Sequence, residues 1–221
     1  MKTMLVLSMG ALLLAGTLSA QTPVPEWQAG VDKMKSLIQT NPAQASEEVG
    51  ELLKGKNKKN VDLVTSVAHV YLDAGKLTEA QEYLAMAKKA NNKDPKVSVL
   101  EGDIALAQKN IGQACQLYEQ AIYFDPNCKE AYLKYAQAYK SASPALAIEK
   151  LEQLKAVDPN CLEADRELAE VYYSSNRFGK AAEMYAKFID TPLATEDDML
   201  KYAFALFLNH DFEKSLQVAQ K

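Results

Sequence analysis

Histidine and cysteine are scarce in this chain: its 221 residues include only His69, His210, Cys115, Cys128 and Cys161, and no two cysteines stand in a C-x-x-C pair. Structural zinc sites draw on such pairs, so no metal is expected. There is also no G-x-S-x-G, no H-E-x-x-H, no G-x-G-x-x-G and no G-x-x-x-x-G-K that could cradle phosphate. The usual signatures of nucleophile-elbow hydrolysis, zincin chemistry, dinucleotide binding and phosphate cradling are therefore missing. His69 has neither a nucleophile nor an orienting partner in view and reads as a surface histidine. No catalytic residue and no cofactor is expected, and the chain reads as non-enzymatic. Excess positive charge is missing too, with 25 basic against 29 acidic residues and a net charge of −4, so nucleic acid is a poor partner. The one basic cluster, KGKNKK at Lys54–Lys59, lacks aromatic neighbours and reads as a solvated loop.

What the sequence does contain begins with an apolar run from Met4 to Gly16 behind the single charge of Lys2, followed by small residues up to Ala20. That is the pattern of a secretory signal peptide, residues 1–20, cleaved after Ala20. Serine, glycine and threonine interrupt it, whereas a membrane span needs about 20 apolar residues. Export to the periplasm or envelope of a Gram-negative-type bacterium follows, with a short linker at 21–25.

The remainder repeats itself. FDPNCKEAYLKYAQAY at Phe124–Tyr139 returns as VDPNCLEADRELAEVY at Val157–Tyr172, 33 positions later. A ladder from Ala68 through Tyr71, Leu77, Ala80, Leu84 and Ala87 recurs from Gly102, Ala136, Ala169 and Ala203. Steps of three and four residues place these side chains on one side of a helix, so each unit is two amphipathic helices joined by a short polar turn. Small residues let the helix backbones approach, and the tyrosine or leucine one turn away fills the groove beside them. Pro95, Pro126, Pro159 and Pro192 fall at unit boundaries and Pro144 inside a turn, where a missing backbone donor is tolerated. Asn127 with Glu130, and Asn160 with Glu163, have the spacing of helix-capping pairs.

These residues resemble the tetratricopeptide repeat family, whose unit is a helix, a turn and a second helix with small and aromatic residues at this spacing. The resemblance covers 60–221 as about five units: 60–94, 95–127, 128–160, 161–192 and a truncated 193–221. It implies an all-α fold, a right-handed superhelical solenoid of stacked helix-turn-helix repeats. Residues 26–59 match the ladder poorly and read as a capping hairpin, with Val31, Met34, Leu37 and Ile38 on one stripe and Ala45, Val49, Leu52 and Leu53 on the other. Equivalent places on neighbouring helices are about 8–10 Å apart, too far for a disulfide between Cys128 and Cys161, and the cysteines read as small apolar filler.

The resemblance further implies a concave groove lined by the first helix of each unit. Its positions would include Thr65 and His69, Val99 and Asp103, Gln137, Arg166, Glu170 and Tyr173, and finally Leu200, Phe204 and Phe207. The groove would pass from polar at the front to aromatic at the back, suiting a protein or peptide with an apolar segment. Two rival readings are an accessory repeat domain of a larger exported enzyme or sensor, and a structural unit that self-associates through an uncapped last helix. Arrays of this kind need a terminal unit with a polar outer face, and the fifth unit is expected to lack a polar closing helix after its second helix. Replacing Ala136 or Ala169 by leucine is expected to destabilise the fold by about 1–3 kcal/mol, read from urea unfolding midpoints.

Overall fold

The computed structural model describes residues 24–220, and the signal-peptide expectation at 1–20 lies outside them. Among the described residues twelve α-helices run in antiparallel pairs, with no strand. The pairs are α1 Gln28–Leu37 with α2 Pro42–Leu52, α3 Val61–Asp73 with α4 Leu77–Asn91, and α5 Pro95–Ala107 with α6 Ile111–Phe124. They continue as α7 Lys129–Tyr139 with α8 Pro144–Val157, α9 Leu162–Ser174 with α10 Phe178–Phe188, and α11 Glu196–Leu208 with α12 Phe212–Ala219. From α3 onward each first helix packs on its own second helix, and from α5 onward it is also reached by the second helix of the preceding pair. The result is an all-α solenoid.

The seam residues of the ladder are where the helices meet. Ala68, Ala136 and Ala169 on first helices, and Ala80, Ala114, Ala147 and Ala181 on second helices, are all 0% exposed. Gly102 sits in a tight seam: a Cβ built there would lie 2.5 Å from Cε1 of Tyr118, so the tyrosine ring occupies the space a side chain would need. One rung behaves differently. Ile111 and Phe212, which open second helices, are 37% and 55% exposed, whereas Leu77 and Phe178 at the same place are partly buried against the core.

The turns repeat as well. Gly75, Lys109, Asn176 and His210 all take left-handed backbone, with φ of 75°, 63°, 57° and 64°. At each, the next amide reaches back to the helix: Lys76 to Tyr71, Asn110 to Ala105, Arg177 to Tyr172 and Asp211 to Leu206, all at 2.8–2.9 Å. This double closure satisfies carbonyls that a helix end leaves open. The α7–α8 connection, 140–143, has four residues where these four turns have three, and leads through Ser143 to Pro144 at the start of α8.

Two expectations are corrected. Asn127 and Asn160 do not cap α7 and α9; Cys128 and Cys161 stand at those caps without a side-chain bond. The asparagines lie one residue earlier, their amides donating to the carboxylates of Asp125 and Asp158 at 2.9 and 3.1 Å, which closes the turn before the helix. The lysine cluster is not a loop either: Gly55–Lys59 forms a 3-10 helix, with Asn57 Nδ2 donating to the Leu52 carbonyl at 2.9 Å.

Gly102→Ala is expected to lower stability by about 1–3 kcal/mol through overpacking. Most of that loss should vanish when Tyr118 is also Ala, a non-additivity that a double-mutant cycle of unfolding free energies measures.

Candidate functional site

His69, Asp103, Gln137, Glu170 and Phe204 hold the same place on α3, α5, α7, α9 and α11. They form one line across the first helices, and the chemistry along it changes. Asp103 is 7% exposed, and its carboxylate accepts from the Tyr118 hydroxyl at 2.7 Å and from the Lys134 ammonium at 3.0 Å, with His69 Nδ1 3.7 Å away. Glu170, two units on, accepts from the Tyr185 hydroxyl at 2.7 Å and from Lys201 at 2.9 and 3.0 Å. Burial, reinforced by these carboxylates, pushes both phenols far above the usual tyrosine range. Each carboxylate is thus bound by a tyrosine of its own unit and a lysine of the next.

Arg166 extends the pattern by gripping Asp198 of α11 with Nε at 3.1 Å and Nη2 at 2.9 Å. Asp198 also closes a capping box with Thr195. Burial alone would raise the Asp198 pKa, but bonds from Thr195 and Arg166 outweigh it and hold the carboxyl below its usual range. Gln137 donates to Glu167 at 2.8 Å. Asp103, Gln137, Arg166 and Glu170, expected to face a ligand, are therefore engaged between neighbouring first helices. Thr65 and Val99, at 4% and 1% exposure, are core.

At the front, Pro25 and Trp27 lie over the first helices and close a cavity of about 280 Å³ with Asp62, Thr65, His69, Lys96 and Glu130. His69, Asp103 and Glu130 bring ligand-type atoms within 4.8 Å of one another. Lys134 already neutralises Asp103 there, so a cation would have to displace its ammonium.

The back is different. Tyr173 is half-buried, its ring edge-on to Phe178 at 5.7 Å. Leu200, Phe204 and Phe207 remain 57%, 50% and 53% exposed. With Ala203, Ser215 and Ala219 they line an apolar cavity of about 260 Å³ between α11 and α12. Of the eight expected groove residues, Phe204 and Phe207 are thus the open ones that share a cavity. Tyr118, Lys134, Tyr185 and Lys201 were missed as partners, although their recurrence at matching offsets from Asp103 and Glu170 was visible in the sequence.

Cys115, Cys128 and Cys161 are free thiols. Burial raises all three, Cys115 to about 11. Residues 50–56 do spell G-x-x-x-x-G-K, a partial match passed over in the sequence, but Asn57 follows it. Gly50–Leu52 belongs to α2, so no loop is there to wrap a phosphate.

The chain belongs to the tetratricopeptide repeat family, whose model matches residues 67–129 and 137–194, more than half of the sequence. Similar solved structures include PilW, a type IV pilus biogenesis factor, at 17% identity and TM-score 0.67, covering 87% of this chain and 90% of that one. PilF of Pseudomonas aeruginosa is also 17% identical, with TM-score 0.65 and coverage of 86% and 87%. YrrB, a repeat protein with an unusual peptide-binding site, is 14% identical, with TM-score 0.55 and coverage of 76% and 87%. At these identities the likeness establishes the fold alone. No curated protein matches the sequence.

Because the Asp198 carboxyl is held below its unfolded value, its stabilisation is full above about pH 4 and is lost as pH falls through the folded value. Asp198→Ala is expected to lose about 2 kcal/mol at pH 7 through the cap and the orphaned arginine, and less at pH 3, as chemical denaturation at the two pH values will read.

Proposed function

We propose that this chain is a non-enzymatic scaffold, exported to the bacterial envelope, that binds a protein or peptide along the concave side of its first helices. One observation carries the reading: the polar positions of that side are paired within the chain, while Leu200, Phe204 and Phe207 stay exposed around an apolar cavity. Exposed apolar patches rimmed by polar residues mark interaction sites. Rigid stacked helices present such anchors without an ordering cost at binding, so a few aromatic side chains supply most of the affinity. Family membership supports a protein-interaction role, and the pilus-biogenesis role of PilW is in keeping with the envelope. Among the described residues no helix is long and apolar enough to cross a membrane.

Tyr173→Ala, Phe204→Ala and Phe207→Ala together are expected to reduce partner recovery from envelope extract by at least about tenfold while the helical circular dichroism is kept. Undiminished recovery would sink the groove reading. Native protein recovered from the cytoplasm with Met1 intact would sink export.

A further inference from the structure

The apolar cavity at the end of the stack has a counterpart inside it. Thirty-four positions before Leu200, Ala203, Phe204, Phe207, Ser215 and Ala219 stand Arg166, Ala169, Glu170, Tyr173, Ala181 and Tyr185. That earlier set is the surface on which α11 lies: Arg166 holds Asp198, Glu170 holds Lys201, and the Tyr185 ring is 6.0 Å from Tyr202. The open cavity is therefore the next seat in the same register, continuous with an interface the chain already makes. Its chemistry has been exchanged, since the two residues that select the incoming helix by ion pairing, Arg166 and Glu170, have become Leu200 and Phe204.

The chain also shows what a seat accepts when those two positions hold neither arginine nor glutamate; its charged contacts to the incoming helix, Asp62 with Lys96 at 2.6 Å and His69 Nδ1 with Asp103 at 3.7 Å, fall elsewhere on that helix. On α3 the matching positions are Thr65 and His69, and the helix seated there is α5. Where α11 carries Asp198 and Lys201, α5 carries Val97 and Leu100, which are 1% and 0% exposed and packed into the α3–α4 core. A helix bearing Asp198 and Lys201 would bring two charges against Leu200 and Phe204 with no partner, which is strongly unfavourable.

We propose that the face between α11 and α12 seats an amphipathic α-helix of a partner protein, laid down as α11 lies on α9 and α10 but selected by aliphatic residues at the positions where α11 presents Asp198 and Lys201. This rests on the scaffold reading only in assigning the occupant to another protein. The face specifies a helix, so an extended peptide is not its ligand.

Two fluorescein-labelled peptides, each held helical by a side-chain lactam on its solvent side, test it by anisotropy against the full chain. One has the α5 sequence of residues 94–108, the other the α11 sequence of residues 195–209. The α5 peptide is expected to bind at least about tenfold more tightly. The double variant Leu200→Arg with Phe204→Glu is expected to reverse the preference, because it restores the pair that holds α11. Absence of α5-peptide binding, or equal binding of both peptides to both proteins, overturns the proposal. So does light scattering that shows a dimer abolished by the double variant, which would give the face to a second copy. No natural partner enters the assay, so its failure leaves the envelope-extract result standing, and the reverse also holds.

Discussion

A methyl group or a single hydrogen at one position of the first helices α3, α5, α7 and α9 sets how closely the two helices of a pair approach, and the rest of the stack follows from that distance. Ala68, Gly102, Ala136 and Ala169 occupy it, all buried. With the backbones this close, the next groove along is filled by a tyrosine or leucine, and at Gly102 the Tyr118 ring lies where a Cβ would be. Interiors packed to this density do not absorb an added methylene without strain. The left-handed turn that recurs in α3–α4, α5–α6, α9–α10 and α11–α12 then fixes how those second helices depart, so one local geometry, used four times, shapes much of the solenoid.

Polar chemistry sits on top of this apolar seam and orders the units relative to one another. The Tyr118–Asp103–Lys134 and Tyr185–Glu170–Lys201 arrangements are the same device two units apart. Each satisfies a carboxylate, buried in Asp103 and partly buried in Glu170, with one donor from its own unit and one from the next, so that neither charge is left unpaired. Such contacts specify which first helix lies where more than they add stability. The device ends at α11, where Leu200, Phe204 and Phe207 take over and apolar surface is left open to solvent.

Much of the fold was legible because its signals repeat. The small-residue ladder, the prolines at boundaries and the helical stripes of Val31, Met34, Ala45 and Val49 each pointed to helical hairpins. Caps were harder to read: in DPNC the aspartate, and not the asparagine, accepts the turn's amide, a choice that depends on one residue of register. The site was legible only in part. Assigning Asp103, Arg166 and Glu170 to a ligand-facing surface treated each helix alone, whereas their partners lie roughly one repeat further along the chain and become visible only when the units are stacked. Phe204 and Phe207 stand exposed at the register positions that follow from the seam alanine Ala203, and Phe207 meets the Phe212 ring at 5.3 Å.

Hydrogen exchange along the chain tests the central relation between seam packing and the open end most directly. Helices α3 to α10, whose small residues are enclosed on both sides, should exchange slowly as one block. Amides of α12, a helix with no buried residue, should exchange orders of magnitude faster. Protection in α12 equal to that in α10, in a monomer with nothing bound, would contradict the account.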